Sequence, residues 1–119
     1  MEKEFDIKKR TYNFSRDLLG STKLLDSNLN NSVIIKQMIR SGTSIGANVH
    51  ESKGGTSKKD FSHYFSIALK SANETMYWFG LLRDTNPNYS DKAGELMSEL
   101  DEIIRILASI VIKSRKESA

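Results

Sequence analysis

The chain has no cysteine, and proline and tryptophan occur once each. Without cysteine there is no disulfide framework, no thiolate metal site and no cysteine nucleophile, which fits a reducing compartment. No apolar run approaches the ~18 residues of a membrane span. The opening Met1-Glu2-Lys3-Glu4 lacks the charged-then-apolar pattern of a signal peptide, so a cytoplasmic protein without membrane contact is expected. Histidine is scarce too: His50 falls with Lys36, Arg40 and Ala47 on a polar helical face, and His63 falls on the outer side of its segment. A di-iron carboxylate site in a helical bundle wants Glu-x-x-His on two helices, and that spacing does not occur. The Gly-x-Ser-x-Gly spacing at Gly42–Gly46 falls inside a helical segment with no strand to carry a nucleophile turn, and there is no spaced Gly-Lys-Ser/Thr phosphate loop. Gly54-Gly-Thr-Ser57 is a short polar loop before a helix that could attract an anion at the helix N-terminus, and no more. Neither an enzyme nor a cofactor or metal site is expected.

What the chain does contain is an ordinary globular mixture, with 38% hydrophobic and 28% charged residues in 119, enough for one packed domain over residues 1–119. Punctuation is confined to the polar stretch Asp26–Ser32, the pair Gly54-Gly55 and Asn86-Pro87-Asn88. These breaks predict helices at about 6–25, 31–52, 57–85 and 89–114, and no strand pattern competes. In the first, Ile7, Thr11, Phe14, Leu18, Ser21 and Leu25 recur at alternating steps of four and three, one stripe of an amphipathic helix. In the last, Ala93, Met97, Leu100, Ile104, Leu107 and Val111 form the stripe, widened by Leu96, Ile103 and Ile110, with acidic residues on the exposed side. Ser57 with Asp60 three residues on predicts one helix start, Ser90 predicts another, and Gly54 or Gly55 predicts a left-handed helix stop. Short loops between helices of this length predict antiparallel neighbours in an all-α, up-down-up-down four-helix bundle of low crossing angle.

The two middle segments carry more apolar surface than one bundle core needs. The second has Ile34, Met38, Gly42, Ile45 and Val49 on one face with Ile35, Ile39 and Gly46 on its flank. The third has one seam of Phe61, Phe65, Ala68, Ala72, Met76 and Phe79, and a second of Tyr64, Ile67, Trp78 and Leu82. Exposed, that second seam would be an aggregation liability, so a homo-oligomer is expected, with Ile35, Ile39, Gly46, Tyr64, Ile67 and Trp78 at its interface. Gly42 and Gly46 each cost about 1 kcal/mol in a helix relative to alanine. Two readings offset that cost: close helix packing within one chain, or a close approach of Gly46 to a second subunit. Ser44, Asn48 and Glu51 run along a flank of the second segment, and half-buried polar groups need partners. Ser71, Asn73 and Glu74 on the third are candidates, with Lys70 within reach of Glu74. The arrangement suits hydrogen bonds that fix helix register and subunit docking better than a site for an ion or small ligand.

Arg40-Ser-Gly-Thr-Ser-Ile-Gly-Ala-Asn-Val-His-Glu51, then Phe61, then Ile67-Ala-Leu-Lys-Ser-Ala-Asn-Glu-Thr-Met-Tyr-Trp78 resemble the paired signatures of one bacterial four-helix bundle family. It includes proteins encoded by intervening sequences within large-subunit ribosomal RNA genes, and is similar to the accessory variability determinant of diversity-generating retroelements. The resemblance spans essentially the whole chain. It implies a barrel-like homopentamer and, for some members, binding to RNA or DNA or to a nucleic-acid enzyme such as a reverse transcriptase.

Any such role rests on basic side chains. The formal charge is only +3, but Lys9, Arg16 and Lys23 recur every seven residues along the outer face of the first segment, with Tyr12 among them. Lys36, Arg40, Lys58 and Lys59 extend the list of candidate nucleic-acid contacts. Repeating a weak basic face around an oligomer multiplies the phosphates neutralised at once. The contrasting expectation is a protein-interaction scaffold that binds no nucleic acid.

Overall fold

A computed structural model describes residues 2–52 and 57–118, with side-chain environments for 7–52 and 57–117. Helix α1 (Glu2–Ser21) forms where apolar residues recur at helical spacing, and Ile7, Thr11, Phe14 and Leu18 are each no more than 1% exposed. The Thr11 hydroxyl donates to the Ile7 carbonyl at 2.8 Å, so this polar residue enters the core already satisfied. The helix then tightens into a 3-10 turn, Thr22–Leu24, which buries Leu25 without continuing the α-helix to it.

Helix α2 (Leu29–Glu51) begins two residues before its predicted start, because the Asn28 side chain accepts from the Asn31 backbone N–H at 2.8 Å. Helix α3 (Lys58–Thr85) starts at Ser57, whose hydroxyl accepts from the Asp60 N–H at 3.1 Å. The expected left-handed glycine stop at Gly54 or Gly55 lies outside the described residues. Asn86-Pro87 ends α3, and Pro87–Tyr89 form a 3-10 turn that runs straight into α4 (Ser90–Ser118). Ser90, expected as a cap, has helical angles of φ −57° and ψ −46°. Proline at the head of the turn starts the helical path earlier, which removes any need for a cap at Ser90.

No strand occurs among the described residues, and none of their helices is long and apolar enough to cross a membrane. Each helix packs beside two others: α1 beside α2 and α4, and α3 beside the same two. Ser41 meets Thr75 while Ser44 meets Ser71, and Arg83 reaches Met97 while Ser66 reaches Arg115. The resulting body measures 47 × 23 × 20 Å. Its core contains Phe14 and Phe79, edge to face at 6.1 Å, with Leu100, Ile103 and Leu107 from α4. Each such side chain contributes about 1.5–3 kcal/mol by leaving water.

In α3 the buried line is Phe65, Ala68, Ala72, Thr75, Phe79 and Leu82. Thr75 takes the place predicted for Met76, and Leu82 joins the core instead of the outer seam, because 72, 75, 79 and 82 keep the helical step. Tyr89 is wholly buried in the turn, with its hydroxyl 2.7 Å from that of Ser21, and burial pushes its phenol pKa up.

The two glycines of α2 face α1 of the same chain. A side chain added at Gly42 would overlap Leu18, and one at Gly46 would come within 3.2 Å of the Thr11 carbonyl oxygen. Gly94 on α4 is exposed and has open space around it. Urea denaturation should therefore separate the two: Gly42→Val lowers stability by about 1–3 kcal/mol through overpacking, while Gly94→Ala raises it by about 0.5–1 kcal/mol.

Candidate nucleic-acid interface

On α1 and the 3-10 turn that follows it, positions 9, 12, 16, 19 and 23 keep the alternating steps of three and four, and all five side chains are exposed. They alternate cation and large apolar group: Lys9, Tyr12, Arg16, Leu19, Lys23. On the neighbouring α2, positions 36, 40, 43, 47 and 50 keep the same steps with Lys36, Arg40, Thr43, Ala47 and His50, of which Thr43 is half-buried and the other four are exposed. The two rows lie side by side. Lys9 and His50 line one groove of about 800 Å³ between the helices, together with Tyr12, Thr43, Gly46 and Ala47. At the other end, Thr22 and Lys36 share a shallower depression.

Each candidate cation has a defined surrounding. Arg16 pairs with Asp17 at 3.2 Å, with both side chains more than half exposed, an interaction that water and salt largely screen. Arg40 is paired with Glu74 and donates to the Gln37 amide oxygen at 3.1 Å, so its charge is partly spent within the chain. Lys58 and Lys59 are exposed in the first turn of α3. Sequence reasoning passed over Lys113, Arg115 and Lys116, which are exposed in the last turns of α4. The legible signal was their position, since cations gather where a helix ends in unpaired carbonyls. The acidic exposed side expected for α4 lies mostly in its earlier turns, at Asp91, Glu95, Asp101 and Glu102, with Glu117 near the end.

The polar flank divides. Ser44 and Ser71 are 3.0 Å apart across α2 and α3, and the Asn48 amide donates back to the Ser44 carbonyl at 2.8 Å. Glu51 and Asn73 are exposed. Glu74 is one-third exposed and accepts from the Trp78 indole at 2.9 Å as well as from Arg40. These bonds, the indole's first, hold its carboxyl below the usual carboxylate range, and the nearby Lys70 adds to the effect. Trp78, Tyr64, Ile67, Ile35 and Ile39 are half-buried, and Gly46 is occupied by its approach to Thr11. Every buried side-chain nitrogen or oxygen among the described residues has a partner, and no group of carboxylates and histidines among them could hold a metal. The arrangement offers charge, exposed apolar groups and a groove.

Residues 3–109 match the family model described as 23S rRNA-intervening sequence protein. The chain belongs to that family. A crystal structure of a protein with unknown function from the S23 ribosomal protein family of Bacteroides thetaiotaomicron is similar at 36% identity and a TM-score of 0.83, over 92% of this chain and 97% of that one. No curated protein matches it. The stretches that carried the resemblance lie on α2 and α3 and include the pairs Ser41–Thr75 and Ser44–Ser71 that join the two helices.

The Glu74 bonds have a pH consequence with a definite sign. A carboxylate held below its unfolded pKa contributes stability at neutral pH that is lost as pH falls through the folded value. Wild type should therefore exceed Glu74→Gln in urea stability at pH 7. That difference should shrink as pH falls below the ordinary glutamate range and close where the folded carboxylate takes up its proton.

Proposed function

We propose that the chain is a non-catalytic accessory protein, a single antiparallel up-down-up-down bundle assembled into a homo-oligomeric ring, that binds RNA or DNA through the outer faces of α1 and α2. The observation that carries this reading is the pair of exposed rows, with Lys9, Arg16, Lys23, Lys36 and Arg40 on one side of the molecule. A cation displaces condensed counterions from a polyanion wherever the two surfaces run parallel, and needs no precise geometry to do so. Charge segregation supports the same reading, since carboxylates dominate the earlier turns of α4. The ring is supported by the half-buried Ile35, Ile39, Tyr64, Ile67 and Trp78, which a second copy could cover, and its five subunits by family resemblance alone. A cytoplasmic location suits these partners.

A second reading, a scaffold that binds protein and no nucleic acid, is favoured by the apolar groups exposed near the start of α2 and on α3. Leu29 is 79% exposed, Val33 52% and Tyr77 61%.

Filter binding of the nuclease-treated protein to structured RNA and to duplex DNA, at two salt concentrations, separates the readings. Replacing Lys9, Arg16 and Lys23 together by glutamine should weaken binding and flatten the salt dependence by about 2–3 in logarithmic slope on duplex. Unchanged affinity and slope would remove the stripe from the interface. Static light scattering on the intact chain should return a multiple of 13.5 kDa, and a mass of one chain would remove the ring.

A further inference from the structure

We infer that the groove between α1 and α2 is a stacking site for an unpaired base, so that the preferred ligand of the basic face is single-stranded nucleic acid and not a duplex; this rests on the nucleic-acid reading above. Tyr12 is the starting point. It stands 70% exposed in the middle of a cationic row, one helical turn from Lys9 and from Arg16. A phenol ring left in water there contributes nothing to the core, yet it forms one wall of the groove.

On the α2 side the groove is lined by Gly46, Ala47 and Thr43, small side chains that leave space in it, as well as by His50 and Glu51. Its shallowness at Gly46 is enforced from beneath, because a methyl group there would press on the Thr11 backbone at 3.2–3.3 Å. The tight packing of α2 on α1 thus keeps a small-residue floor open beside an exposed aromatic face. The result is a slot of about 800 Å³ with a ring on one side and small residues below.

Charge decides what enters. Lys8 and Lys9 stand at the rim with His50, and Glu51 is the carboxylate among the lining residues. Successive turns of α1 lie ~5.4 Å apart, so cations flank the stacking position on both sides along the helix. Arg16 contributes through an exposed pair with Asp17 that is readily exchanged for a phosphate. Backbone cations interleaved with an aromatic platform are what a single strand requires, and every base has a π-face, so little sequence preference follows. A duplex keeps its bases stacked inside and can use the cations but not the slot.

Fluorescence anisotropy with three labelled strands of equal length tests this: an unstructured oligouridylate, a perfect duplex, and an abasic deoxyribose-phosphate strand. Tyr12 is exposed, so its variants keep the fold, which thermal unfolding verifies. Tyr12→Ala should weaken oligouridylate binding by roughly ten-fold, leave the duplex unaffected, and bring the oligouridylate down to the abasic strand. Tyr12→Phe should keep wild-type affinity, whereas Tyr12→Leu should behave like alanine. Equal binding of oligouridylate by wild type and Tyr12→Ala overturns the stacking site. If the triple glutamine variant still loses binding in that case, the nucleic-acid reading stands without it. Binding of none of the three strands by wild type overturns both, and leaves the groove to a protein segment.

Discussion

Helix α2 must come closer to two neighbours than ordinary side chains allow, and much of the structure depends on that closeness. On the α1 side, Gly42 receives Leu18 and Gly46 receives the Thr11 backbone. On the α3 side, hydroxyls replace glycines: Ser41 and Thr75 stand 2.7 Å apart, fully buried, and Ser44 and Ser71 stand 3.0 Å apart. A buried hydroxyl costs free energy unless it is bonded. Here each is doubly provided for, since Thr75 also donates to the Ser71 carbonyl of its own helix at 2.7 Å. Small residues therefore serve on both edges of α2 without leaving a cavity or an orphaned polar group.

Away from α2, the helices are tied by longer side chains. Arg10 bridges α1 to α4, donating to Glu99 at 2.6 and 3.0 Å and to Glu102 at 3.1 Å, which holds its guanidinium firmly charged. At the far end, the Asn31 and Asn86 amides donate to one another at 2.9 and 3.0 Å, linking the start of α2 to the end of α3. Asn31 is only 4% exposed, so sliding one helix past the other by a residue would strand it. Reciprocal amide pairing thus fixes register where apolar packing alone is permissive.

The α1 stripe could be read from the sequence because its six positions are amphipathic without ambiguity. The wide faces of α2 and α3 could not be resolved the same way. When apolar residues cover a wide arc of a helix, periodicity does not say which edge turns inward, and Met76 and Leu82 were misplaced for that reason. Tyr89 was invisible because its burial depends on a turn that folds it back onto Ser21. The basic row on α1 was legible as spacing. That Arg40 would be engaged by Glu74, and that Tyr12 would border a groove floored by Gly46, required knowing how closely two helices approach. The close approach of Gly46 to Thr11 within the chain was likewise a question of distance.

The placement of charge has a consequence at a distance. With Lys9, Arg16, Lys23 and Lys36 exposed along α1 and α2, and Glu95, Asp101 and Glu102 exposed on the earlier turns of α4, charge of the two signs is unevenly spread over the surface. In the field of a polyanion it experiences a torque as well as an attraction, and it turns before it touches. At physiological ionic strength that field fades over about 8 Å, less than the 20 Å thickness of the bundle. Only the near side is then felt, and a molecule of almost balanced net charge meets such a surface as though it were strongly cationic.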